Sequence, residues 1–439
     1  MGDRLYSGSG EPLCFEIPSL PNQGECMRFL GNCCKFSTFV AVLCSFSLVA
    51  YAENWPQWRG PRGDGSAEEP QLPISWSATE NVQWKVKVHA GGHASPGTWG
   101  QSVFVVGAKL DQTARTLTAL DRATGDIRWE QLVLKAPLER IHKLNSHASS
   151  APATDGKRIY VSFLNEKQMH VTAYDFDGKV DWSVEPGPFS SVHGYCSSPV
   201  LFENLVIING DHDGDSYLLA LDSETGKTVW RTPRENRTRS YCTPLIREIN
   251  GRTQMMLSGN KCIASYDPRN GVRQWIIDGP TEQFVASLVY KHDLLFMTGG
   301  FPERHIMAIN PTGNGNVTQT NIVWHHLRSG VSYVPSPVAV GDYFLVAADD
   351  GVGTCFEAKT GKIVWQKRLA GHYSGSLLTA NGLVYFLDDD GVTKVVKPGP
   401  ELEVVATNEI GDGCSSSPAA SDGQLFIRGK EFLWCLGKK

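Results

Sequence analysis

The sequence lacks the features of nucleic-acid-binding proteins, coiled coils and protein kinases. Its 439 residues include 41 Lys and Arg against 46 Asp and Glu, so a net charge of −5 offers no basic surface for a nucleic acid. No stretch is dominated by Ala, Leu, Glu and Lys, which excludes a helical bundle or coiled coil. A glycine-rich nucleotide loop and the HRD and DFG motifs are also missing, which excludes a kinase.

Cysteine pairs suited to zinc or dithiol chemistry are missing as well. Five of the 11 cysteines precede Ala52, and the six that follow include no Cys-x-x-Cys motif. The sequence therefore does not indicate a zinc ribbon or a thioredoxin-like site.

The first 52 residues differ in composition from the remainder. From Met27 the chain has a short positive region, an apolar run over residues 36–50 and a small-x-small end at Ala50-Tyr-Ala52. This order is typical of a secretory signal peptide, and the run is shorter than the roughly 20 residues that span a bilayer. We predict an upstream extension over 1–26, a signal peptide over 27–52, and export to the periplasm or cell exterior. An uncleaved signal segment, as the one membrane contact, is the alternative.

One phrase, Ala-x-Asp-x-x-Thr-Gly-x-x-x-Trp, recurs through the rest of the chain. Full copies span residues 119–129 and 220–230. The tryptophans of the successive units, 41–53 residues apart, are at positions 84, 129, 182, 230, 275, 324 and 365. Asp and Gly indicate a tight turn, since an Asp carboxylate accepts backbone N–H bonds and glycine takes a positive φ. The Trp is predicted to pack between neighbouring units.

A second marker, a small residue followed by proline, opens most units. It includes Pro96, Pro152, Pro199, Pro244, Pro337 and Pro418, while Ser287-Leu288 and Ser376-Leu377 fill the same place in two units. Short alternating apolar runs between markers predict four strands per unit, which is the size of a propeller blade. Eight markers predict an all-β, eight-bladed β-propeller of four-stranded antiparallel blades over residues 82–439. Seven blades is the alternative.

The two ends of this repeat region are complementary. The last unit, residues 418–436, has room for only three strands, and residues 81–88 form an unpaired outer strand. Pairing of these N- and C-terminal strands would close the ring and remove exposed strand edges. Residues 53–81 are predicted to form a leader that lies on the propeller.

The repeated phrase resembles that of the pyrroloquinoline-quinone-like (PQQ-repeat) β-propellers, over nearly all of residues 82–439. This family includes quinoprotein alcohol dehydrogenases and the propeller lipoprotein of the bacterial outer-membrane assembly machine. The leader sequence Asn54-Trp-Pro-Gln-Trp-Arg-Gly-Pro61 is similar to the start of secreted bacterial members of unassigned function. The phrase is specific for the fold and leaves the activity open.

For a quinoprotein dehydrogenase, the resemblance implies a vicinal disulfide over the cofactor, a Ca²⁺ site and an aspartate base. The chain after residue 52 has no adjacent cysteines, because Cys33-Cys34 lies in the signal segment. The sequence contains no complete catalytic, quinone or metal site that we recognise. We therefore assign no cofactor, and pyrroloquinoline quinone is an alternative that the missing residues disfavour.

A ligand site is predicted at one mouth of the central channel, where loops leading into the innermost strands meet the hairpins between second and third strands. Polar and aromatic residues recur there, just before each unit-opening marker. The candidate ligand-binding residues are His93, His147, His193, Tyr195, Arg237, Arg239, Tyr241, Tyr333, His372 and Tyr373. The four histidines hold a metal or line the channel; lining is favoured, since ring position alone does not bring ligands to about 2.0–2.1 Å.

A basic loop at the predicted mouth, residues 231–239, carries four arginines against one glutamate. Nearby loops add Arg140, His142, Lys143, His325, His326 and Arg328. The arginines either bind a carboxylate or sulfate ligand or pair with acids of the hairpin at residues 211–215. Cys196 and Cys242, in adjacent blades, either form a disulfide or stay free.

These observations predict a secreted or periplasmic binding or scaffold module with its ligand at the channel mouth. The partner classes are an anionic small molecule or saccharide, or envelope proteins, and nucleic acid is excluded. The alternatives are a quinone-dependent oxidoreductase or an enzyme acting on an anionic saccharide, and a partner in outer-membrane protein assembly.

Overall fold

The computed structural model describes residues 53–234, 236–327 and 330–438, so the predicted extension (1–26) and signal peptide (27–52) lie outside the described residues. Apart from a 3-10 turn at Leu110–Gln112, the regular structure of these residues consists of β-strands arranged in eight sheets. The prediction of an all-β, eight-bladed propeller is confirmed, and the seven-blade alternative is wrong. Within this part of the chain, no helix is long and apolar enough to cross a membrane.

The first four blades follow one another along the chain, and each has four antiparallel strands that run from the channel outward. Blade 1 comprises Gly97–Trp99, Ser102–Lys109, Ala114–Asp121 and Ile127–Lys135. Blade 2 comprises Ala153–Thr154, Arg158–Asn165, Gln168–Asp175 and Val180–Val184. Blade 3 comprises Val200–Phe202, Leu205–Gly210, Tyr217–Asp222 and Thr228–Pro233. Blade 4 comprises Leu245–Ile249, Arg252–Gly259, Cys262–Tyr266 and Arg273–Asp278, with Gly315–Asn316 added in parallel at its outer edge.

The remaining blades repeat this arrangement and complete the ring. Blade 5 comprises Val289–Lys291, Leu294–Gly299, His305–Ile309 and Ile322–Leu327. Blade 6 comprises Val338–Val340, Tyr343–Ala347, Val352–Glu357 and Ile363–Arg368. Blade 7 comprises Leu378–Ala380, Leu383–Leu387, Val392–Lys397 and Glu403–Glu409. Blade 8 comprises Ala419–Ser421, Gln424–Arg428 and Phe432–Leu436, and takes its outer strand, Val82–Lys87, from the start of the propeller.

The ring closes as predicted, because Val82–Lys87 pairs antiparallel with Phe432–Leu436. Two buried arginines reinforce the seam between blades 8 and 1. Arg428 of blade 8 donates to the carbonyl oxygens of Ala90, at 2.9 Å, and of Val106. Arg122 of blade 1 donates back to the Ser421 carbonyl and to the amide oxygen of a neighbouring glutamine.

The tryptophan and glycine of the repeated phrase form one contact between neighbouring blades. The Trp182 indole N–H of blade 2 donates to the Ser223 carbonyl oxygen of blade 3 at 3.0 Å. The Trp182 ring packs against Gly226, where φ is +69° and an added Cβ would lie 2.6 Å from the ring. Equivalent N–H···O bonds, at 2.7–3.0 Å, are made by Trp84, Trp129, Trp230 and Trp324.

A ladder of hydrogen bonds ties the innermost strands together, and it explains the small residue that precedes the marker proline. At this position the backbone N–H of one blade donates to the side-chain hydroxyl of the next. The donor–acceptor pairs, 2.8–3.1 Å long, are Ala151–Ser198, Ser198–Thr243, Thr243–Ser287, Ser287–Ser336, Ser336–Ser376 and Ser376–Ser417. The ladder stops where Ala151 supplies no hydroxyl. The hydroxyl of Ser95 is buried there without a partner in the described chain.

The leader crosses the ends of the innermost strands, on the side away from the loops that lead into them. The Thr98 and Thr154 N–H groups of blades 1 and 2 donate to the carbonyls of Trp55 and Pro56 at 2.8 and 2.7 Å. Further along, Ser66–Ala67 pairs in parallel with the innermost strand of blade 7. The Glu69 carboxylate accepts the N–H groups of residues 422 and 423 in blade 8. The leader therefore spans one end of the channel.

Candidate functional site

A cavity of about 680 Å³ opens at the other end of the channel, and we call it the cup. Its wall includes residues from the loops that lead into all eight innermost strands. They include His93, Asn145, His193, Arg239, Tyr241, Gln283, Tyr333, His372, Ser374 and Ser415. The hairpins of blades 5 and 6 add Phe301, Arg304 and Asp349. A volume of this size accommodates a small-molecule ligand.

The floor of the cup is the leader residue Trp58. Beneath it, the guanidinium of Arg59 lies 5.7 Å from the centre of the Trp58 ring and donates to the carbonyls of Asp64 and Pro337. Arg59 is only 2% exposed, and burial lowers the pKa of its guanidinium to about 10. Since the leader bonds to the far ends of the inner strands, the cup has its opening at the loop-bearing mouth.

The structure brings six of the ten predicted ligand-binding residues together at the cup. These six residues are His93, His193, Arg239, Tyr241, Tyr333 and His372. The recurring position just before the unit-opening marker explains this grouping, because the repeat brings equivalent loops of different blades to one mouth.

The other four predicted residues lie outside the cup wall, so their inclusion in a single mouth site was wrong. The ring nitrogen Nδ1 of His147 lies 3.3 Å from the Glu139 carboxylate. Tyr195 is buried, and its hydroxyl lies 3.1 Å from the Ser162 hydroxyl. Arg237 is exposed and pairs with Asp215 at 3.0 Å, and Tyr373 packs in the core against a phenylalanine of blade 7.

The arginines of the basic loop pair mainly with local acids. Arg234 is buried and forms an ion pair with Asp211 at 2.9 Å, while Arg239 pairs with Asp213 at 2.7 Å. Arg231 stacks 3.7 Å above the ring of Tyr217. The hairpin at residues 211–215 thus supplies the carboxylates, and the alternative of local pairing describes this loop.

The additional basic residues do not form one charged mouth. His142 lies at the cup, whereas His325 and His326 belong to the outer strand of blade 5. Arg328 lies outside the described residues. The expectation that these loops share one mouth with the basic loop was therefore wrong for His325 and His326.

One wall of the cup is a stack of aromatic rings. The rings of His142 and His193 meet edge to face at 5.4 Å, and those of His193 and Tyr241 at 5.9 Å. His193 Nδ1 lies 2.8 Å from the Tyr241 hydroxyl, which also bonds the Ser191 hydroxyl at 2.6 Å. Burial, followed by the charge of Arg239, lowers the pKa of His193, so this imidazole is neutral at pH 7.

The facing wall is fixed by two aspartates at equivalent hairpins. Asp349 accepts the N–H groups of Tyr333 and Val334 at 2.8 and 3.1 Å. Asp389 lies 2.8 Å from His372 Nδ1 and also accepts the N–H and hydroxyl of Ser374. Each carboxylate therefore holds the loop that leads into the neighbouring innermost strand, which orients the side chains at the mouth.

Several wall residues were not predicted from the sequence. Trp58 comes from the leader, and Arg304 comes from a hairpin without a repeated marker. Gln283 donates its amide N–H to the Tyr333 hydroxyl and, with Asn145, is an uncharged polar residue that the search for titratable groups passed over. The unit-opening position of Gln283, shared with Tyr241, was the signal that would have found it.

The cysteines and acids of the described chain do not supply the quinoprotein set. Cys196 and Cys242 are free, and burial raises the pKa of each thiol to about 12. Among the described residues, no group of three or more His, Cys, Asp or Glu is arranged to hold a metal ion. Together with the lack of adjacent cysteines after residue 52, this does not fit a calcium-bound quinone beneath a vicinal disulfide.

The repeated phrase and the closed eight-bladed ring define a β-propeller built from PQQ-type repeats. A family model described as outer membrane protein assembly factor BamB matches residues 75–194, 116–296 and 302–397, and the chain belongs to this family. No curated protein matches the chain.

Solved structures share the fold at low sequence identity. BamB from Moraxella catarrhalis is 13% identical, with a TM-score of 0.57 over 81% of this chain and 99% of that chain. Quinohemoprotein alcohol dehydrogenase from Comamonas testosteroni is 12% identical, with a TM-score of 0.64 over 88% and 81%. The computationally designed Ika8 protein is 13% identical, with a TM-score of 0.56 over 81% and 99%. A scaffold shared by these three does not specify an activity.

Proposed function

We propose that this protein is an exported binding module that holds a small ligand in the cup. The observation that carries the proposal is a single-mouthed cavity of about 680 Å³ to which all eight blades contribute side chains. Pockets of this size, with apolar walls and a few oriented polar groups, are typical of small-molecule sites. The wall is oriented by hydrogen bonds beneath it, such as those of Asp349 and Asp389.

The binding function is tested by blocking the cup. Ser374 and Ser415 line it from different blades, and Ser374→Trp or Ser415→Trp would fill part of the volume. Saturation-transfer NMR with a fragment library of sugars, uronic acids, aromatic acids and short peptides would report ligands of the unmodified protein. We expect signals that both Trp variants remove and that the exposed Arg237→Ala variant keeps. A library with no fragment that depends on the open cup would contradict the proposal.

Membership of the BamB family supports a second candidate, an envelope-protein partner in outer-membrane assembly. The experiment is affinity purification of the tagged full chain from its native host, with quantitative mass spectrometry of the outer-membrane assembly components. Enrichment of these components over a tagged periplasmic control would support this role. Equal recovery in both samples would reject it. Fractionation of the same cells tests export, since a cytoplasmic pool alone would contradict it.

A further inference from the structure

We infer that the cup takes an uncharged sugar, with one ring lying against Trp58. This inference rests on the proposed binding function and specifies its ligand class. It replaces the expected anionic ligand, because the structure distributes charge and hydrogen-bonding groups differently from the sequence-based expectation.

The charges at the cup are already balanced. Its two arginines face three nearby carboxylates: Arg239 lies 2.7 Å from Asp213, Arg304 lies 3.6 Å from Asp349, and Asp389 bonds His372 and Ser374. An anionic ligand would have to compete with these carboxylates for the same guanidinium groups. Pyrroloquinoline quinone, a tricarboxylate, would face the same competition.

The buried histidines add no positive charge at neutral pH. Burial, with smaller contributions from Arg428 and Lys430, lowers the pKa of His93 to about 4. The pKa of His193 is lowered too, mainly by burial. Both imidazoles therefore act at pH 7 as neutral hydrogen-bonding groups, which suits hydroxyls better than carboxylates.

Flat apolar surfaces lie on several sides of the cavity. Trp58 forms the floor, Tyr241 and the imidazoles of His142 and His193 form one wall, and Phe301 stands exposed at the rim. The C–H faces of a pyranose ring are apolar and match such rings, whereas its hydroxyls lie at the ring edge. An aromatic floor with polar groups around it therefore fits a ring that is apolar on its faces and polar at its edge.

Polar side chains around the floor are fixed on one side and open on the other. The Nδ1 atoms of His193 and His372 are bonded to Tyr241 and Asp389, and their Nε2 atoms have no hydrogen-bond partner among the described residues. Gln283 donates through its amide nitrogen to Tyr333, which leaves its amide oxygen as an acceptor. These three groups provide both donors and acceptors, as neighbouring hydroxyls of a sugar require.

Matched pairs of sugars test the inference. Glucose with glucuronate, and galactose with galacturonate, have the same rings and differ in a carboxylate, and cellobiose and cellotriose extend the uncharged series. By calorimetry we expect at least one uncharged sugar to bind tenfold or more tightly than its acid. Its affinity should be the same at 20 and 500 mM NaCl, since no ion pair to the ligand is screened. Tighter binding of the acid with loss at high salt would overturn the inference.

Variants locate the sugar. Trp58→Ala should weaken binding at least tenfold, whereas Trp58→Phe, which keeps an aromatic floor, should retain most of it. Far-UV circular dichroism and thermal melting show whether the leader still docks in each variant. Equal affinity of folded Trp58→Ala would overturn the placement of the ring. If no uncharged sugar binds while other fragments depend on the open cup, the ligand class is wrong and the binding function stands.

Discussion

The hydroxyl ladder gives a sharp prediction, because the same sequence position carries a bonded serine in one blade and an unbonded serine in another. Ser336 is 1% exposed, and its hydroxyl accepts the buried N–H of Ser287 at 2.9 Å. Ser95 is 2% exposed, and its hydroxyl has no partner in the described chain. Alanine at either position removes one oxygen atom from a buried inner strand.

The two substitutions should have opposite effects on the free energy of unfolding. Ser336→Ala leaves the Ser287 N–H buried without an acceptor, which costs about 1–3 kcal/mol. Ser95→Ala removes a buried hydroxyl that has no protein partner, so stability should stay equal or rise by about 1 kcal/mol. Ser336→Thr should fall close to the unmodified protein, since Thr243 already serves at this position in blade 4.

Equilibrium urea titrations followed by tryptophan fluorescence and far-UV circular dichroism measure these differences. The transition midpoint should fall for Ser336→Ala and stay or rise for Ser95→Ala, with the slope of free energy against urea unchanged. Equal destabilisation by both alanines would refute the reasoning, because the loss would then come from packing. Ala151→Ser, which adds a hydroxyl at the break, should raise the midpoint.

Three other measurements test separate features. Gly226→Ala should destabilise more than Gly251→Ala, because both have positive φ but only the Cβ at 226 would meet a tryptophan ring; equal midpoints would contradict the Trp–Gly contact. The lowered pKa of His93 means that the unfolded chain binds the proton more readily, so its contribution to stability is full above about pH 6.5 and is lost as pH falls towards 4. His93→Gln should flatten the urea midpoint between pH 7 and 5, and an unchanged slope would contradict this. Alkylation in denaturant without reductant should label both Cys196 and Cys242; protection of the pair would indicate a disulfide.

Most of the fold could be predicted because its signals are local and repeated. The Trp and Gly of each unit occur in one short phrase, so their spacing sets the blade count. The seam arginines, Arg122 and Arg428, could not be predicted, because their partners are carbonyl oxygens some 300 residues away in sequence. Contacts to backbone atoms leave no signal in side-chain patterns.

The site was predicted in part because the marker fixes which loops share a mouth, but not where each side chain points. His193 reaches the cup, while Tyr195, two residues later in the same loop, turns into the core. Irregular loops have no period from which to derive orientation. Trp58 was missed for another reason: it lies in a segment without repeats, and the ring positions it only after closure.

The direction of the innermost strands also orients the molecule relative to anything joined to its ends. The strand Ala419–Ser421 begins near the cup-lining Ser417 and ends at Ser421, whose hydroxyl donates to the Glu53 carbonyl at 2.5 Å. The Gly437 N–H donates to Asn81 at 2.9 Å on that same side. Both ends of the described chain therefore leave from the face opposite the cup. A tag, a fused domain or a surface attached at either end would leave the mouth free towards solvent.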